Sequence, residues 1–228
     1  MPIKKEVFRQ GLDATQMANS LMMKALQDQI QTIAEQIIVI EHSVREILQG
    51  QQNDRIGLYY SGMALYLEAQ GIEDKEMRKN LLAQSLRSLT EATFQLTLTM
   101  KADIRYLENK EYESAKGKRV EKIDNRIQKI NQEFAIIHQA TMLRAGIYCN
   151  QNELLAMSTV LKEYSYFIED AIVKNAELLA QSDASDSGTE EGVWKVRKNL
   201  RIDIADFAKQ LNVADKTVYL SVAKGTDQ

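Results

Sequence analysis

Beside its 32 Asp and Glu, this chain has few groups suited to proton transfer or metal ligation: the histidines His42 and His138, and the single cysteine Cys149. A zinc-protease helix needs two histidines one turn apart with a glutamate between them, and a di-iron bundle needs Glu-x-x-His pairs on facing helices. Neither spacing occurs. His42 falls between Ile40 and Val44 and His138 flanks Ile137, so both read as surface or boundary residues. Gly-x-Gly-x-x-Gly and Gly-Lys-Ser/Thr, whose backbones cradle phosphates, are also missing. Cys149 follows Tyr148 with no histidine in local register, which makes packing its expected role. Glu190 and Glu191 lie in a polar stretch and read as solvated. The expectation is a protein that is not an enzyme, with no metal, no cofactor and no evident small-molecule substrate.

The elements that would position any site are long helices. Apolar residues at Met23, Leu26, Ile30, Ile33, Ile37, Ile40, Val44 and Ile47 alternate steps of three and four, a heptad seam that must be buried against partner helices. Similar stripes run from Leu82 to Leu107, from Val120 to Tyr148 and from Leu154 to Leu178. Arg144 stands at a seam position and needs a carboxylate or an opening to water, while Asn175 sits inside the last stripe. Residues 92–100 (ATFQLTLTM) also alternate apolar and polar types, so a local strand competes there with the helix that the flanking pattern favours. Pro2 is the only proline. The expected fold is therefore all-α, an elongated bundle of four or five long antiparallel helices with coiled-coil-like seams over residues 1–181, followed by a small C-terminal appendix.

Net charge is only −3, which argues against a dedicated polyanion binder. One cysteine permits no intrachain disulfide, and residues 3–11 carry Lys4, Lys5, Glu6 and Arg9 where a secretory signal needs an apolar core. A cytoplasmic location is the resulting expectation. The weakly charged runs at residues 56–67 and 92–100 are shorter than the roughly 18 residues that span a bilayer, so a membrane partner ranks last.

One segment offers a surface for partners. Gly57, Ser61 and Ala64 recur at helical spacing as a small-residue face, with Tyr59 and Tyr60 supplying bulk beside it. Small faces let two backbones approach closely. Either this face makes a tight crossing inside the bundle, or it inserts into a bilayer interface, or it is where the chain meets itself or another protein.

Residues 182–192 (SDASDSGTEEG) hold four acids and no base and read as a flexible linker; residues 193–228 hold seven Lys or Arg against four Asp. Within this basic segment, residues 204–222 place the small Ala208 where two short helices would cross, Asn212 at the turn before an inward Val213, and Thr217 with Val218 on the second helix. The stretch resembles the helix-turn-helix of bacterial repressors of the lactose and purine type. Two departures are visible: Ser221 stands where an apolar residue belongs, and only residues 194–200 are available as a supporting helix. The resemblance implies DNA as an alternative partner. Ala214, Asp215, Lys216, Thr217 and Tyr219 would then face the groove or phosphates, with Lys195, Arg197, Lys198 and Arg201 on the backbone. The competing reading is a small cap with residues 217–222 as a strand. Binding to DNA would appear as a salt-dependent mobility shift that disappears when residues 193–228 are removed.

Overall fold

The computed structural model describes residues 54–183 together with Trp194 and Arg197; the first seam, residues 23–47, and His42 lie outside them. The described chain is an all-α bundle. Helix α1 (Asp54–Gln70) leads through a turn at Gly71 into α2 (Lys75–Glu108), a 3-10 turn (Glu111–Ser114), α3 (Arg119–Asn150), α4 (Leu154–Phe167), a π-turn (Ile168–Val173) and α5 (Ala176–Asp183). No strand occurs among the described residues, and residues 92–100 are continuous helix. Their threonines are accommodated because Thr93 and Thr99 donate their hydroxyls to the Leu89 and Gln95 carbonyls one turn back, at 2.7 and 2.9 Å.

Local chemistry sets the helix ends. Asp74 caps α2 by accepting the Met77 N–H at 2.7 Å, which satisfies one of the donors that a helix start leaves unpaired. Past Glu108 the chain reverses through Lys110 (φ 53°) and Gly117 (φ 74°), both in the left-handed region. At the end of α3, Asn152 takes φ 61°, its N–H donates to the Cys149 carbonyl and the next N–H, of Glu153, reaches back to Tyr148. This is a Schellman closure with asparagine in the place glycine usually takes.

Neighbouring helices run antiparallel. Ser85 Oγ donates to the Gly62 carbonyl at 2.5 Å and Ser88 Oγ to the Leu58 carbonyl at 2.7 Å, setting α1 against α2. Asp103 on α2 faces Arg126 and Lys129 on α3, while Arg144 and His138 on α3 face Glu163 and Tyr164 on α4. The core follows the seams closely: Leu82, Leu89, Leu96, Met100, Ile104 and Leu107 from α2 meet Ile123, Ile127, Ile130, Phe134 and Ile137 from α3.

Three features depart from the sequence expectation. The stripe from Leu154 to Leu178 is not one rod: it widens into the π-turn, where Asn175 Nδ2 donates to the Asp170 and Ala171 carbonyls and so recovers acceptors that the wider turn frees. Lys101 on α2 holds the outside of that turn, 2.6 Å from Asp170. Next, α5 continues through Asp183, two residues beyond the expected end of the body, and the buried Asp183 carboxylate accepts the indole N–H of Trp194 at 3.0 Å. Trp194, assigned from sequence to the appendix, is 1% exposed and part of the core. Finally, the tight crossing of α1 on α2 is made by Gly62, not by Gly57, Ser61 and Ala64. A Cβ built on Gly62 would lie 2.7 Å from Leu89 Cγ and 3.1 Å from its backbone nitrogen.

Replacing Gly62 with alanine should therefore destabilise the bundle by about 1–3 kcal/mol in urea denaturation, overpacking outweighing the gain in helix propensity. An unchanged midpoint would mean that the crossing relaxes freely.

Candidate functional site

The small-residue face lies on the outside of α1. Gly57, Ser61 and Ala64 are all exposed, and a Cβ on Gly57 would meet nothing within 4 Å. At helical spacing, half-buried Tyr60 and Leu67, 51% exposed, flank this strip on one side, and Glu68 continues it. Tyr59 is a correction to the expected face: it points inward, is 1% exposed, and its hydroxyl donates to Gln139 on α3 at 2.9 Å. Burial, with Tyr60 close by, raises its pKa far above the usual phenol value. Tyr59 therefore anchors α1 and leaves the small residues outward.

The tail residues proposed for DNA contact, Lys195, Lys198, Arg201, Ala214, Asp215, Lys216, Thr217 and Tyr219, lie outside the described residues. Arg197 is described, and it faces the bundle. Its guanidinium lies 4.6 Å from the Phe134 ring centroid and 4.5 Å from that of Trp194, and donates to Asn131 Oδ1 at 2.6 Å. A truncation that tests DNA binding should therefore begin after Arg197, since one that removes Trp194 also opens the core.

His138 is a boundary residue between α3 and α4, its Nδ1 sharing a 2.8 Å hydrogen bond with the Tyr164 hydroxyl. Burial first, and the nearby Arg197 charge second, lower its pKa, so the ring is held neutral. Cys149 is buried, and desolvation raises its thiol pKa, the condition of an unreactive cysteine. Among the described residues no group of three or more His, Cys, Asp or Glu could hold a metal ion, and no helix is long and apolar enough to cross a membrane.

A buried ionic cluster between α2 and α3 has no counterpart in the sequence reading. Asp103 (2% exposed) takes Arg126 at Oδ1 and Lys129 at Oδ2, the latter at 2.7 Å; among the described residues Glu133 (1% exposed) has Lys129 at 3.9 Å as its ion-pair partner, the more distant Arg55 and Arg126 charges, and no hydrogen-bond partner. Its signal is present in the sequence. Arg126, Lys129 and Glu133 repeat at steps of three and four directly beside Ile127, Ile130 and Phe134, so the charges form their own stripe along the seam. Desolvation dominates Glu133 and pushes its pKa to about 7, against the lowering pull of Lys129.

No protein-family model matches the sequence, and comparison with curated proteins and with solved structures finds no match. The geometry alone therefore carries the functional reading.

The raised carboxyl of Glu133 has a measurable consequence. From its usual value of 4.5 up to about 7, the unfolded chain has released this proton while the folded chain still holds it. Stability from this group therefore falls as pH rises through that window and levels off above it. Glu133→Gln removes the titration. Relative to wild type it should gain about 2–3 kcal/mol on going from pH 5 to pH 8 in paired denaturation curves. A pH-independent difference would place the carboxylate in contact with water.

Proposed function

We propose that this protein works by association and not by chemistry, presenting the outer face of α1 to a second copy of itself or to another protein. The observation that carries the reading is Gly57. A glycine within a helix costs about 1 kcal/mol relative to alanine, and such a cost is commonly offset by a close backbone approach. Inside the bundle Gly62 has that approach and Gly57 does not: its Cβ direction is open. Ser61 and Ala64 extend the same low strip, and Leu67 beside it is an exposed apolar side chain with room for a facing helix. A helix laid along this strip packs backbone to backbone, with Tyr60 and Leu67 as its apolar border.

The alternative of a DNA-reading tail is supported by the sequence resemblance and by the local excess of basic residues. Arg197, one of the cations on which it drew, is already engaged with Asn131, Phe134 and Trp194.

Gly57→Leu separates folding from association, because the side chain enters open space within the chain and fills the strip a partner needs. Thermal stability should be unchanged or slightly raised, while self-association measured by sedimentation velocity should weaken by at least about tenfold. Undiminished association of the variant, or a wild-type chain that stays monomeric at every concentration and captures no partner through this face, would exclude the reading.

A further inference from the structure

A groove of about 380 Å³ opens between α2, α3 and α4, on the side where Arg144 ends its seam. It lies within the size range of small-ligand sites. Its walls are largely apolar: Phe94 from α2, Ile137 from α3, and Val160 and Phe167 from α4. Of the four threonines that also line it, Thr90, Thr93, Thr97 and Thr141, three turn their protons away from a polar ligand. Thr90, Thr93 and Thr141 donate their hydroxyls to the Leu86, Leu89 and Ile137 carbonyls at 2.6, 2.7 and 2.7 Å.

Among the described residues Arg144 is the one cation lining this groove. It is 9% exposed, yet its only carboxylate within ion-pair reach among the described residues is Glu163, at 3.8 Å from Nη2, and Glu163 is itself 64% exposed at the side chain. The Arg144 Nε has no hydrogen-bond partner among the described residues. Burial lowers the guanidinium pKa, although arginine stays charged at neutral pH. A buried charge with one loose partner and an unsatisfied N–H is costly, and a planar carboxylate met by two parallel N–H groups relieves it most directly. The chemistry also limits the ligand's charge. One guanidinium with a carboxylate at its edge accommodates a monoanion and repels a dianion such as a phosphate monoester.

The geometry points to a binding site for a small amphipathic monocarboxylate. Its head pairs with Arg144 in place of the distant Glu163, and its apolar body lies along Phe94, Val160 and Phe167. The site is separate from the outer face of α1, so its test does not depend on association.

Calorimetric titration of the full chain with decanoate, below the concentration at which it forms micelles, should give saturable binding to one site. Decanol, with the same tail and no charge, should bind at least about tenfold more weakly. Arg144→Met, which keeps an apolar side chain in the buried position, should lose decanoate by a similar factor. Glu163→Gln removes an exposed competitor and leaves the core untouched, so it should tighten decanoate and leave decanol unchanged. This second variant keeps the proposal open to refutation if the first fails to fold. Equal binding of decanoate and decanol, no saturable decanoate binding, or no effect of Glu163→Gln on decanoate would each overturn it.

Discussion

Helix α3 cannot meet water over residues 140–147, every one of which is buried. A helix enclosed on all sides demands neighbours around its whole circumference, and much of the fold follows from supplying them. Antiparallel α2 runs beside it, α4 covers its C-terminal half back to Phe134, α1 reaches it through the Tyr59–Gln139 hydrogen bond, and α5 closes part of it lower down. The same constraint decides what becomes of polar side chains on this helix. Thr141 turns its hydroxyl back to its own chain, and Arg144 is left with an acid 3.8 Å away.

Charge buried between α2 and α3 acts on register more than on net stability. Burying the Asp103 and Glu133 carboxylates is costly, and Arg126 and Lys129, each about a third exposed, offset that cost only in part. Sliding one helix past the other by a turn would, however, break at least one of the two ion pairs of the buried Asp103 carboxylate. Leucines and isoleucines along a heptad seam do not discriminate between such registers, because one apolar turn resembles the next. The cluster supplies the discrimination that the seam lacks.

The seams were legible because burial along a long helix imposes a period that side-chain types must follow. Leu82 to Leu107 emerges as the interior face of α2 and Ile123 to Arg144 as that of α3, while Val120, at the start of the expected stripe, is 56% exposed. The need of Arg144 for a carboxylate could likewise be read from a charge at a seam position. Other features depend on distances that no period encodes. Gly57 and Gly62 are the same residue type five positions apart, and only the crossing of α1 on Leu89 distinguishes the packed glycine from the open one. The π-turn leaves the apolar stripe almost unchanged, since one wider turn shifts the register by a single residue. Trp194 follows a run of small polar residues that reads as the end of the body, yet it joins the core and its indole N–H is satisfied by an acid, Asp183, within that run. The outer strip of α1 was visible as composition, whereas its exposure could come only from knowing which face Tyr59 and Gly62 turn inward.

Association through the outer face of α1 is tested most directly by a nitroxide spin label on Ala64→Cys, with a label on the exposed Ala83→Cys of α2 as reference and the buried Cys149 left in place. If a partner helix lies along Gly57, Ser61 and Ala64, the Ala64 label becomes immobilised as protein concentration rises or partner is added, and the Ala83 label stays mobile. Equally mobile spectra at both positions under every condition would contradict it.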